Sequence, residues 1–315
     1  MTAFLTGGGG FIGRHLARLL RERGHDVRAI ARSEPAAALL RAAGCEVVVG
    51  DILDADALRA ALEGSDVAYH LAGDYRVGVP ASAREGMELA NVTATERLID
   101  AAVEAGVGRI VHVSTINAFG DTGYRVVDET YERPRPYRFV STYDETKHRA
   151  HLVAHDRIDA GAPVLIAMPG GVYGPGDHSS LGGVLQQAAA GKLPSLTFGD
   201  LGLNMAHVED IAAGIALVGE HGRIGESYVL GGEIATMAEL VRRVAAVTER
   251  RAPRLSTPTW ALRAAAPIVR RIGPNLGEIV SASAGVTYWA TDAKARRELG
   301  YAPRDLEAGL ADTFG

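Results

Sequence analysis

Cysteine occurs once in the 315 residues, at Cys45, so no internal disulfide can form and the fold depends on packing. No run of eighteen or more apolar residues occurs, because Arg, Asp or Glu interrupts the apolar stretches every few positions, which argues against a membrane-spanning helix. The net charge is −5, and no stretch gathers basic residues as a phosphate backbone would require, so nucleic acid is not an expected partner. The opening Thr2-Ala3-Phe4-Leu5-Thr6 lacks the basic and apolar regions of a secretion signal, and a cytoplasmic location is expected. Repeats of fixed period and low-complexity tails are missing as well. Lysine is scarce, confined to Lys147, Lys192 and Lys294 in a chain that uses arginine heavily.

What is present is 47% hydrophobic and 23% charged residues, the balance of a globular chain, arranged in a regular alternation. Short β-rich runs at Ala3–Leu5, Asp26–Ala31, Glu46–Val49, Val67–Leu71, Arg109–Ser114 and Val164–Ala167 alternate with helical periodicity at Phe11–Arg23, Pro35–Ala43, Asp56–Glu63, Arg84–Ala105 and Thr142–Asp159. A helix at Val208–Glu220 and a late strand at Ser227–Leu230 follow. This beat predicts an α/β fold with a doubly wound parallel sheet of the Rossmann type. Residues 1–170 form the expected dinucleotide-binding domain, with 205–232 returning to it. The segments 171–204 and 233–315, which mostly lack the beat, are expected to build a smaller C-terminal substrate lobe.

Between the first strand and first helix stands Thr6-Gly7-Gly8-Gly9-Gly10-Phe11-Ile12-Gly13. Glycines at 7, 10 and 13 permit a tight turn, close approach of backbone to a pyrophosphate, and helix–sheet contact, while amides at the helix start bind the anion. After the second strand, Arg32 suits a ribose 2′-phosphate and favours NADP(H); Glu34 is the alternative ribose ligand, which leaves NAD(H) open. Arg14 offers a second guanidinium for the same phosphate. Asp51 and Ile52 are candidates for the adenine edge and face, and Ala72-Gly73 leaves room for the cofactor chain.

Ser141-Thr142-Tyr143-Asp144-Glu145-Thr146-Lys147 opens a helix, and the spacing puts Tyr143 and Lys147 on one face. A neighbouring ammonium favours the phenolate, so Lys147 is expected to lower the pKa of Tyr143 for proton transfer. Val113 to Gly120 supplies hydroxyls at a strand end, at the sheet edge where ligands bind.

Taken together, Thr6 to Gly13, Asp51-Ile52, Tyr69 to Gly73, Asn91 to Thr95, Val113 to Gly120, Tyr143 to Lys147, Pro169 to Asp177, His207 to Asp210 and Asp292 to Tyr301 resemble the extended short-chain dehydrogenase/reductase superfamily, which contains the NAD-dependent epimerase/dehydratase family. Within it, His70 to Arg76 and Gly222 to Glu233 are most similar to the dihydroflavonol-reductase-like and hopanoid-associated sugar epimerase groups. The resemblance implies catalytic Tyr143, Lys147 and Thr115. It implies cofactor contacts from Gly7, Gly10, Phe11, Ile12, Gly13, Arg32, Asp51, Ile52, Leu71, Ala72, Gly73, Lys147 and Pro169. Substrate contacts are expected from Tyr75, Asn117, Gly170 and Val172, and Asn91 is expected to support or line the site. It also implies a homodimer through the helices Arg84–Ala105 and Thr142–Asp159. Leu203 stands where nucleotide-sugar epimerases usually carry a phosphate-binding arginine, which disfavours a sugar nucleotide.

The expected activity is hydride transfer between a nicotinamide and a secondary alcohol or ketone of a small organic substrate. An epimerase or dehydratase with tightly held NAD, and a non-catalytic dinucleotide sensor, are the alternatives. His148, His151 and His155 have a spacing that can hold zinc but no carboxylate-rich partner motif, and no metal is expected. Trp260–Ile272, apolar on one face and arginine-bearing, is expected to be a lobe helix over the substrate cleft, with no membrane as partner.

Overall fold

The computed structural model describes residues 1–315, apart from the side chains of Arg270, Ile272 and Pro274. The first half alternates strictly: β1 (Thr2–Thr6), α1 (Phe11–Glu22), β2 (Asp26–Ala31), α2 (Glu34–Ala42), β3 (Glu46–Val49), α3 (Ala55–Leu62) and β4 (Val67–His70). Then come α4 (Ala81–Glu88), α5 (Ala94–Glu104), β5 (Arg109–Val113), α6 (Thr142–Asp159) and β6 (Val164–Pro169). The second half runs β7 (Gly171–Tyr173), α7 (Ser180–Ala189), β8 (Gly202–His207), α8 (Val208–His221), β9 (Ser227–Leu230), β10 (Glu233–Thr236), α9 (Met237–Val247), α10 (Thr259–Ile272), α11 (Pro274–Ser283), α12 (Ala293–Leu299) and α13 (Leu306–Phe314).

Seven strands form one sheet in the order β3-β2-β1-β4-β5-β6-β9, every pairing parallel. This is the doubly wound Rossmann arrangement that the alternation predicts. Both faces are covered, so the central strands read as unbroken apolar runs; all six residues of β6 are buried. Leu16, Leu20, Ile211 and Ile215 of α1 and α8, with Leu299 of α12, pack on one face. Leu58, Leu62, Leu98 and Ile99 of α3 and α5, with Ala154 of α6, pack on the other. The strand order reverses between β1 and β4, so their carboxyl ends open the crevice where such sheets bind ligands.

Two findings differ from the periodicity reading. The single helix expected over Arg84–Ala105 starts at Ala81 and is interrupted by a π-turn at Leu89–Thr93, a feature that apolar periodicity does not register and that turns Asn91 inward. A second sheet, β10-β8-β7, was not signalled because β7 and β10 are short and β7 and β8 open on glycine. It shares a core with α7, α9 and α13, around Leu185, Leu240, Val244 and Leu310. Gly170 sits between the sheets, where a Cβ would lie 2.3 Å from the Asn204 carbonyl oxygen.

Candidate active site

At the crevice, Gly7 has φ +70°, which favours glycine, and a Cβ there would fall 2.6 Å from the backbone of Leu71 and Ala72. A Cβ on Gly13 would fall 2.1 Å from the Gly7 carbonyl oxygen. Gly10 caps α1 with its backbone alone: no side chain bonds the first-turn amides, and no acidic residue stands among them. Such an end accepts a phosphate, so the residues present fit a dinucleotide. Phe11, Ile12 and Gly13 supply those first-turn amides, while the Ile12 side chain packs on the core. Leu71, Ala72 and Gly73 stand across from Gly7, with the Ala72 amide donating to Thr6 Oγ1 at 3.2 Å.

Arg32 lies exposed at the end of β2 and makes no ion pair among the described residues, whereas Glu34 is engaged by Arg41. Arg14 does not join Arg32. Its Nη2 donates to the carbonyls of Pro175 at 3.1 Å and Gly176 at 2.9 Å, which ties that end of the guanidinium to the loop and not to the 2′-phosphate site expected for it. Asp51 accepts from the Leu53 amide at 2.9 Å, and Ile52 is buried in the core cluster that holds Ile30 and Leu58.

A buried polar chain connects the two ends of the crevice. His70 Nδ1 pairs with Thr6 Oγ1 at 2.8 Å, and its Nε2 pairs with Thr95 Oγ1 at 3.0 Å. Thr95 donates to the Asn91 carbonyl at 2.7 Å. The Asn91 amide accepts from the Asp74 backbone at 2.7 Å and donates to Thr146 Oγ1 at 2.9 Å, and Thr146 donates to the Tyr143 carbonyl at 3.2 Å. The π-turn therefore places Asn91 as the link between the β4 loop and α6, the supporting role expected of it.

Ser141 caps α6 by accepting from the Asp144 amide at 3.0 Å, and this helix start carries Tyr143 and, one turn on, Lys147, both 8% exposed. The Thr115 hydroxyl stands near enough to the Tyr143 phenol to favour its ionised form. Thr115 Oγ1 also lies 3.4 Å from the Pro169 carbonyl and 3.2 Å from the Asn117 amide, which donates to it. Three of the expected residues thus converge, with Asn117 and Pro169 around them. Burial pushes the phenol pKa upward, so the expected lowering by Lys147 is not found in this arrangement. The Lys147 ammonium instead donates to the Val113 carbonyl at 3.1 Å, and burial lowers its pKa to about 8.

Among the expected substrate residues, the Tyr75 ring meets Tyr143 edge-on at 4.8 Å and remains 59% exposed. Gly170 is held against Asn204, and Val172 packs toward the core of the large sheet. Leu203 lies among apolar side chains of two cores, so no cation stands at its position.

The sequence reading missed Arg133, which pairs both nitrogens with Asp144 at 2.6 and 2.8 Å while both side chains are almost fully buried. This pair clamps the loop before α6 to the residue following Tyr143. One arginine among the three of a Pro-bearing loop, Arg133, Arg135 and Arg138, carries no periodic signal. Glu278 of α11 accepts from the Thr142 amide at 2.5 Å, so the lobe also caps this helix. The α6 histidines pair locally: His148 with the Ala118 carbonyl at 2.9 Å, and His151 with Ser114 and His155, both at 3.1 Å. Among the described residues, His207, Glu209 and Asp312 have metal-like spacing, but Arg304 already pairs with both carboxylates at 3.1 Å.

The sequence profile of the NAD-dependent epimerase/dehydratase family matches residues 3–231. Sterol demethylase protein B of Methylococcus capsulatus is 30% identical over 99% of this chain and 97% of its own length. A ketoreductase of a farnesylated dihydroquinoline oxide from Stigmatella aurantiaca is 30% identical over 96% and 92%. The dTDP-glucose 4,6-dehydratase DesIV of Streptomyces venezuelae, solved with NAD bound, superposes with TM-score 0.80 and 28% identity over 100% of this chain and 96% of that one. The chain therefore belongs to the NAD-dependent epimerase/dehydratase family of extended short-chain dehydrogenases/reductases, whose members bind a nicotinamide dinucleotide.

Proposed function

We propose that this chain is an oxidoreductase that prefers NADP(H) and interconverts a ketone and a secondary alcohol on a small organic substrate, with Tyr143 as proton donor. The observation that carries the reading is the setting of that phenol: buried on the first turn of α6, beside the Thr115 hydroxyl and one turn from the buried Lys147. A protonated phenol suits the direction in which a developing alkoxide needs a proton. When bound, the dinucleotide supplies or accepts the hydride. Thr115 orients the carbonyl oxygen toward the Tyr143 hydroxyl. Lys147, charged below about pH 8, offers N–H groups to ribose hydroxyls and a positive charge under the site. Phosphate binding falls to Gly7, Gly10 and the first turn of α1, and Arg32 is the free cation for a 2′-phosphate. Tyr75, Asn117, Gly170 and Val172 are assigned to the substrate side, with 171–204 and 233–315 mainly as the substrate lobe. The absence of a cation at Leu203 speaks against a sugar-nucleotide epimerase. A cytoplasmic homodimer through α5 and α6 completes the proposal.

The test follows NADPH oxidation against a panel of apolar and polar ketones. Tyr143→Phe is expected to lower turnover by roughly 10² to 10⁴ while NADPH affinity stays within about twofold. Unchanged turnover in this variant overturns the assignment of Tyr143.

A further inference from the structure

From Arg250 to Gly277 the sequence carries six arginines and no acidic residue or lysine, in a chain of net charge −5. Arg250, Arg251 and Arg254 precede α10, and Arg263 and Arg271 stand on it. Among the described residues of α10 the exposed ones are Trp260, Arg263, Ala264, Pro267, Ile268 and Arg271, whose spacing of three and four draws one stripe along the helix. The three most exposed large apolar side chains among the described residues all lie in this stretch: Trp260 at 74%, Leu255 at 71% and Ile268 at 64%. Leu276, at the start of α11, is 59% exposed. Large apolar side chains left exposed together in one stretch of a folded chain mark an interaction site.

The charges point to what covers it. Arg250, Arg251, Arg254 and Arg271 make no ion pair among the described residues, whereas Arg23, Arg157 and Arg243 elsewhere are paired with carboxylates. Arg263 donates to the carbonyls of Ala284 and Gly285, both at 3.1 Å, so no carboxylate neutralises it either. A second copy of the same face would set these arginines against one another. We propose that α10, with Leu255 and Leu276 flanking it, docks on an anionic lipid bilayer. Trp260 would sit at headgroup level, Ile268 and the leucines would enter the acyl boundary, and the arginines would contact lipid phosphates. The face adjoins the crevice: Glu278 on α11 holds the Thr142 amide, and Gly78 presses against the Asn275 carbonyl and Ile279. Docking therefore brings the Tyr143 end of the crevice close to the bilayer, where apolar compounds dissolve. This inference goes beyond the reductase reading and stands or falls without it.

The full chain is sedimented with vesicles of phosphatidylcholine alone, or with about 30% phosphatidylglycerol. Partition onto the anionic vesicles is expected to be at least about tenfold higher, to weaken with added salt, and to shift tryptophan emission to the blue. Trp260→Phe should abolish that shift, since Trp289 is the only other tryptophan. Trp260→Glu and Ile268→Glu should each reduce partition tenfold or more, and Arg254→Gln and Arg271→Gln about fivefold each, with melting temperatures unchanged. Equal partition onto both vesicle types, no partition at all, or undiminished binding by Trp260→Glu overturns the proposal. So does concentration-dependent self-association that Trp260→Glu abolishes, which would assign the face to a second copy.

Discussion

The two ends of the crevice are built from different materials. At the glycine end almost everything is backbone: Gly7 in the left-handed region, Gly13 pressed against its carbonyl, and an uncapped helix start. At the α6 end almost everything is side chain: Tyr143 and Lys147 stand on a helix tied down by the Arg133–Asp144 pair and by the chain from Thr6 through His70, Thr95, Asn91 and Thr146. Amides cannot be mutated away, so the first end fails when something is added. The second end fails when something is removed.

The largest effect should come from breaking the second end. Arg133→Ala leaves the Asp144 carboxylate buried without its partner, and about 3–5 kcal/mol of stability should be lost in urea or thermal unfolding. A loss under about 1 kcal/mol would mean that the pair does not hold α6 in place. Next comes the one exposed cation of the glycine end. Arg32→Ala should weaken NADPH by about 10- to 150-fold, the equivalent of ~1.5–3 kcal/mol, and leave NADH nearly unaffected in a fluorescence titration. Equal losses for both nucleotides would make Arg32 structural, and tighter wild-type binding of NADH would move the ribose contact to Glu34.

Addition is the corresponding test for the backbone end. Gly13→Ala must displace the Gly7 carbonyl, and a cost of about 1–3 kcal/mol is expected, with weaker NADPH protection in a thermal melt. An unchanged melt would refute the description of that end as sterically limited.

The smallest expected effect sharpens the side-chain end through pH. Burial lowers His70 and His151 to about 3, and His112 well below its ordinary value. Unfolded, these rings bind protons below about pH 6.5 while folded they do not, so stability falls as pH drops through that range. Each ring contributes a slope of about 1.4 kcal/mol per pH unit. His112→Leu should therefore flatten the acid side of the stability profile by about one proton, and an unchanged slope would remove His112 from this account.

What was legible in the sequence follows from range. Strands such as Asp26–Ala31 and the first helix have local causes, alternation and apolar periodicity, and they stand where these place them. Gly7, Gly13, Tyr143 and Lys147 were legible because a positive φ, a close approach and an i,i+4 pair leave marks in a short window. Arg133, β8 and β10 were not, since a salt bridge between a loop and a helix or a strand pairing across the lobe has no short-range signature.

By itself the sequence determined the seven-stranded α/β frame, the phosphate loop and the shared face of Tyr143 and Lys147, because backbone sterics and helical period act within a few residues. Only the tertiary structure decided three other matters. The phenol rises because neighbouring elements bury it while the Lys147 ammonium turns to the Val113 carbonyl. Arg14 goes to the loop at Pro175 and Gly176, which folding brings to it from the far half of the chain. Arg263 and Arg271 share an exposed stripe with Trp260 and Ile268, opposite the half-buried residues of α10. Burial, desolvation and charge pairing depend on every element that comes near, and those neighbours are chosen by the whole fold.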